Sequence, residues 1–178
     1  MIMEADKSQM KPSKTGMIGG EQTIELLAGQ HPNGEVIIER VLVSSQKKAN
    51  SFQILKSPVF VRGIARADVI EKMDSPKGAF KMLQNGGNLS IRIFCKKNID
   101  RLEQLLTPEF EKLDGDLDVK EPNALVYSIH VSCGFNTIEE LLNDRVQKYG
   151  DAAWFYGNVY DPESGEPLNW WQAILASE

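Results

Sequence analysis

The 178-residue sequence predicts an α+β protein: a small bent β-sheet or half-barrel in its N-terminal part, joined to a ferredoxin-like βαββα sandwich. Two observations carry this. Short alternating apolar runs recur between residues 34 and 94 with a spacing of roughly ten residues, separated by turn signals. From residue 89 the order changes to strand, helix, strand, strand, helix. The layout expected is a loose polar arm over 1–33, an α+β domain over 34–160, and an acidic aromatic segment over 161–178. Within the domain, the bent sheet covers 34–88 and the ferredoxin-like part 89–150.

The first strand is "GEVIIERVLV", with Val36, Ile38, Val41 and Val43 marking its apolar positions. "SFQILKS" follows, with Phe52 and Ile54 on one face. Pro58 and Gly63 break the ladder, so 57–66 reads as a bend or short edge strand. "DVIEKMD" and "AFKML" are strands on either side of the turn signal "SPKG". "NLSIRIF" alternates cleanly, with Leu89, Ile91 and Ile93 inward.

"NIDRLEQLL" then places Ile99, Leu102, Leu105 and Leu106 at helical spacing. Thr107 before Pro108 reads as the cap of a fresh helix. "LDVKE" and "ALVYSIHVS" are two strands joined at Pro122-Asn123. "FNTIEELLNDRVQKYG" is a helix with Thr137 and Glu140 as a capping box and Gly150 as its stop. "AAWFYGNVY" is a last strand, and "LNWWQAILASE" a short terminal helix.

Apolar residues make up 42% of the chain and charged residues 25%, which is the balance of a globular domain with a real core. No apolar run is long enough to cross a membrane as a helix. The polar start "MIMEADKSQMKPSKTG" lacks a secretory h-region. Two cysteines, Cys95 and Cys133, are too few for a disulfide framework and read as free thiols. Both features point to a reducing cytoplasm.

Net charge is −5, and it is unevenly spread. Residues 40–101 hold thirteen Lys/Arg against four Asp/Glu, whereas 102–178 hold four against fifteen. Such asymmetry bears on partners rather than on fold. Either the two halves neutralise each other or one of them meets a charged partner.

The boxes "FQILKSPVFVRGIARADVI", "GNLSIRIF" and "DGDLDVKEPNALVYSIHV", with a helix before the last, resemble the bacterial family of unknown function DUF4265 over roughly residues 35–150. In that family the first box ends "GIAxGDVV"; here Ala67 stands at the second Gly. The resemblance implies a small bacterial cytoplasmic protein, some members of the kind looking like immunity proteins beside toxin genes. It implies no catalytic residues.

Several constellations could in principle carry chemistry. Arg62, Gly63 and Arg66 could cradle an anion, but one Gly without a helix start reads as a bend. "DGDLD" imitates a calcium loop, yet Val119 and Leu125 occupy its sixth and twelfth places. His130 and Cys133 are three apart in a strand-like run and should face apart. Two Cys and two His make no zinc site. The basic residues of 40–101 interleave with Phe52, Phe60, Phe80 and Phe94, all read as core.

The C-terminal part is the most unusual. All three tryptophans lie between 154 and 171, and residues 150–178 carry five acids and no Lys or Arg. Trp and Tyr anchor interfaces, and acidic fields steer basic partners. The functional expectation is therefore a non-enzymatic bacterial binding protein without cofactor or metal. Its type would be an immunity protein that neutralises a basic toxin such as a nuclease. Asp114, Asp116, Asp118, Asp161, Glu163 and Glu166 would steer that partner, and Tyr160, Trp170 and Trp171 would anchor it. The alternative is an RNA-binding or regulatory module using the basic 40–101 region.

Overall fold

The structure is a computed structural model and describes residues 20–177. It is a β-rich mixed α/β protein with two antiparallel sheets and three helices. The first sheet is a meander in the order β1 (Glu21–Gln30), β2 (Val36–Ser45), β3 (Ser51–Ile54), β4 (Val69–Lys72), β5 (Phe80–Gln84). The second contains β6 (Asn88–Cys95), β7 (Asp116–Glu121), β8 (Ala124–His130) and β9 (Ala152–Tyr156) in the order β7-β8-β6-β9. The helices are α1 (Ile99–Lys112), α2 (Phe135–Arg145) and α3 (Trp171–Ala176).

The first sheet is not a closed barrel, but it curls. The Leu27 N–H donates to the Gly78 carbonyl at 2.8 Å, bringing β1 to the segment that leads into β5. A Cβ at Gly78 would run into the β1 backbone, so only glycine lets the two approach. Leu26, Val41, Val43, Ile54 and Ile70 fill the concave side, joined by Val61 and Ile64 from the β3–β4 connection.

In the second sheet, alternation divides the side chains between two faces. Leu89, Ile91, Ile93, Leu125, Tyr127 and Ile129 pack under α1 and α2 with Leu102, Leu106, Phe110, Ile138 and Leu142. Tyr127 stacks on Phe110 with ring centroids 4.2 Å apart, and its hydroxyl pairs with that of Thr107. The opposite face carries Ser90, Arg92, Phe94, Ala124, Val126 and Ser128, and it meets the connection 55–68 through Val59. That connection, read from sequence as a bend closing a half-barrel, is the joint between the two sheets.

Several expectations are corrected. Residues 21–30, assigned to the arm of 1–33, form β1, with Ile24, Leu26 and Ala28 alternating into the core; residues 1–19 lie outside the described residues. Thr107 does not cap a new helix: α1 runs unbroken through Pro108. Pro108 costs the helix one N–H, while Leu106 and Phe110 on either side hold it to the sheet. Helix α2 starts at Phe135 behind Gly134, so Thr137 lies inside it and makes no cap.

Candidate functional site

The site is built on the helix-free face of the second sheet. Phe94 on β6 and Phe155 on β9 both point outward there, because the inward parity belongs to Ile93 and Trp154. Their rings stack at 5.3 Å and 23°. Phe60, from the crossing segment, lies 6.1 Å from Phe94 on its other side. Phe60 is 56% exposed and Phe155 48%. The three rings form a continuous apolar strip facing solvent, which is uncommon on a surface without a binding role.

Glu39 on β2 sets the position of Phe60. Its carboxylate accepts the N–H groups of Val59, Phe60 and Val61 at 2.8, 2.9 and 2.8 Å. Three successive amides converging on one anion form a nest. Beneath it, Arg92 is 3% exposed, donating to the Val61 carbonyl and weakly to Ser90 Oγ. Burial brings the Arg92 guanidinium down to about 10, opposed by the nearby Glu39 charge and assisted by that of Arg62. It remains a cation at neutral pH.

Beside the strip, Tyr160 is 52% exposed at the start of a short hairpin bridged to Pro167. Asp161 Oδ1 accepts from Glu163 N–H and Ser164 N–H, both at 2.9 Å, and these bonds hold its carboxyl below the usual range. Glu163 and Glu166 project from the tip into solvent. Between strip and hairpin lies a cavity of about 430 Å³ lined by Arg62, Arg92, Phe155, Tyr160 and Asp161.

The structure divides the residues expected to bind a partner. Tyr160, Asp161, Glu163 and Glu166 stand together at the β9 side. Asp114 and Asp116 belong to the opposite, β7 edge of the sheet. Asp116 is taken up by Arg66 at 2.6 Å. Asp118 is 6% exposed and binds Ser57 N–H, Ser128 Oγ and Arg66, so it cannot steer a partner. Two of the three "DGDLD" acids thus spend their carboxylates inside the protein.

Trp170 donates from Nε1 to the Asn158 carbonyl at 2.7 Å, and Trp171 meets Phe135 edge-on at 5.2 Å. Both are half-buried against the helical core, and Trp170 holds the start of the hairpin through its bond to Asn158.

The other constellations resolve similarly. His130 Nδ1 pairs with Ser132 Oγ, and burial raises the Cys133 thiol, the reverse of nucleophile activation. Among the described residues no group of three His, Cys, Asp or Glu is placed to hold a metal. In the basic half, Lys48 and Lys81 pair with Glu71, Lys77 with Glu25, and Arg66 with the acidic half.

From sequence, Phe155 is only one of the C-terminal aromatics and Arg92 only one of the basic residues of 40–101, while Phe60 and Phe94 read as core. The signal for Phe94 was available: if Leu89, Ile91 and Ile93 point inward, Phe94 points outward. Phe60 could not be found this way, because 57–66 has no ladder and hence no parity.

Fold and surface together define a small mixed α/β protein whose open sheet face carries an aromatic strip. The sequence matches the family model described as "Domain of unknown function (DUF4265)" over residues 39–154, and the chain belongs to that family. Comparison with curated proteins gives no match. Among solved structures, the chain is similar to one titled "Novel crystal structure of a hypothetical protein from Neisseria gonorrhoeae". The TM-score is 0.57 at 15% identity, over 80% of this chain and 96% of that one. This likeness concerns the fold alone.

Proposed function

We propose that the protein is a non-enzymatic binding protein that docks a basic protein partner, in the manner of an immunity protein neutralising a nuclease-like toxin. The observation that carries the reading is the exposed strip Phe60–Phe94–Phe155 beside an acidic hairpin tip. Aromatic anchors with a charged rim are the usual anatomy of a specific interface. Glu163 and Glu166 provide a field that attracts cations, and a nuclease cleft is cationic because it must hold phosphates. Relative to the sequence-based expectation, Tyr160 stays an anchor and Phe60 and Phe155 take the place of Trp170 and Trp171.

Two further readings accompany this one. The strand order β7-β8-β6-β9, with α1 and α2 packed on one face, supports treating residues 88–156 as a ferredoxin-like unit. The free thiols Cys95 and Cys133 support a reducing, cytoplasmic setting.

The deciding experiment reads the neighbouring genes for a basic, nuclease-like product and tests the purified protein against that product for complex formation and inhibition. Stoichiometric complex formation and loss of nuclease activity are expected. An unimpaired nuclease with no complex at about micromolar protein overturns the proposal.

A further inference from the structure

The cavity between strip and hairpin has its own chemistry. Arg92 is buried at 3% exposure, yet no carboxylate pairs with it within 4.0 Å among the described residues. Its Nε and Nη2 are engaged by Ser90 Oγ and the Val61 carbonyl; Nη1 donates to nothing described. The carboxylate whose charge reaches it, Glu39, spends its oxygens on the Val59, Phe60 and Val61 amides, so the buried cation is only partly compensated and its cavity side favours an anion. Arg62, exposed on the same wall, likewise has no ion pair or hydrogen bond among the described residues. Its charge reaches Arg92. Asp161 also lines the cavity, but its Oδ1 is held by the Glu163 and Ser164 amides.

Gly157 makes room for this arrangement, since a Cβ there would overlap the Arg92 guanidinium. The remaining walls are the half-exposed rings of Phe155 and Tyr160. At about 430 Å³ the space is that of a small-molecule site.

We propose that this cavity binds a nucleoside monophosphate group, with the phosphate between Arg62 and Arg92 and the base against Phe155 and Tyr160. A phosphate monoester carries a charge of about −1.5 to −2 at neutral pH, which two guanidiniums match better than they match a single carboxylate. A flat ring suits aromatic walls. The group has two natural sources, a free nucleotide or the phosphorylated end of an RNA. The site does not depend on the partner proposed above, and it is tested without one.

The test is an NMR titration of the isolated protein with 5′-AMP, following the Gly157 and Gly165 amides. Saturable shifts are expected, with adenosine binding at least about tenfold more weakly. Arg62→Gln, at an exposed position, should keep the native spectrum and lose about tenfold in affinity. Gly157→Ala should abolish the shifts. A 5′-phosphorylated oligonucleotide binding more tightly than AMP identifies an RNA end as the source, and equal affinity identifies the free nucleotide. Equal affinities for AMP and adenosine, unchanged binding by Arg62→Gln, or no shifts at about 10 mM AMP would overturn the proposal.

Discussion

Arg66 Nη1 lies 3.3 Å from the buried carboxylate of Asp118, and this pair ties the connection between the sheets to the second sheet. Asp118 also accepts the Ser57 N–H at 2.8 Å and binds the Ser128 hydroxyl. Ser57 Oγ in turn accepts the Arg66 N–H at 2.9 Å. Each buried polar group in this knot thus has a partner, as burial requires. The knot also explains part of the charge split, because here a cation of the basic half meets acids of the other half.

Removing Asp118 should therefore cost much more than removing Asp116, although both touch Arg66. Asp118→Ala leaves the buried Ser57 amide without its acceptor and leaves Arg66 only the exposed Asp116 carboxylate, a loss of about 3–5 kcal/mol. Asp116 is largely exposed, and Asp116→Ala should cost less than about 1 kcal/mol. Urea unfolding of the two variants measures the difference. Equal losses would mean that the knot is not buried in solution.

Asp68 gives the protein a pH-dependent stability of unusual sign. The carboxyl is 1% exposed, and burial raises it from 3.8 to about 7 despite amide bonds from Gly86 and Ala65. Between about pH 4 and pH 7 the folded state keeps a proton that the unfolded chain has released. This contribution is fully present below the unfolded value and is lost as pH rises through 7. Its ceiling is about 4 kcal/mol. Asp68→Asn removes it, so the stability difference between variant and parent should grow in the variant's favour from pH 4 to pH 8. A difference independent of pH would refute the assignment.

Ala67 holds a left-handed conformation, φ 79°, at the position where the sequence resemblance predicts glycine. The tight turn before Asp68 is made regardless, at the cost of a crowded Cβ. Ala67→Gly should raise stability by up to about 1 kcal/mol, less the extra entropy of the unfolded chain. Across the contact, a Cβ at Gly86 would overlap the Ala67 backbone, so Gly86→Ala should destabilise. Thermal melts of the two variants should move in opposite directions.

Much of the fold was legible in the sequence, because strands β2 to β9 each announce themselves by alternation or by bounding turns. The hidden parts have physical causes. Strand β1 carries its alternation through Ile24, Leu26 and Ala28, but Leu27 and Gly29 blur it and the polar start of the chain masks it. The continuity of α1 through Pro108 depends on the sheet beneath it, which no local signal reports. The candidate surface was half legible. Tyr160 and the acids of 161–166 were found from composition, whereas Phe60 and Arg92 acquire their roles from the crossing segment, whose path has no periodicity. Trp170 and Trp171 show a further limit, because composition cannot tell an anchor from a support.

That distinction can be tested on Trp170 and Trp171. Trp170→Phe keeps an aromatic ring, smaller than the indole, and loses the Nε1 donor to Asn158, which should cost about 1–2 kcal/mol. Trp171→Ala removes the edge contact to Phe135 and should cost about 1–3 kcal/mol. Neither should change affinity for a partner once the folded fraction is accounted for. A weakened complex at unchanged stability would return the tryptophans to the interface.

The most direct test of the proposed docking surface is the dissociation constant for the basic partner it is proposed to bind, measured for the parent, Phe155→Ala and a Glu163→Lys/Glu166→Lys double variant. Phe155→Ala should weaken the complex at least about tenfold through faster dissociation. The double charge reversal should slow association and reduce its dependence on salt. Unchanged affinity in both variants, each shown to be folded, would contradict a docking surface built from the Phe60–Phe94–Phe155 strip and the acidic hairpin.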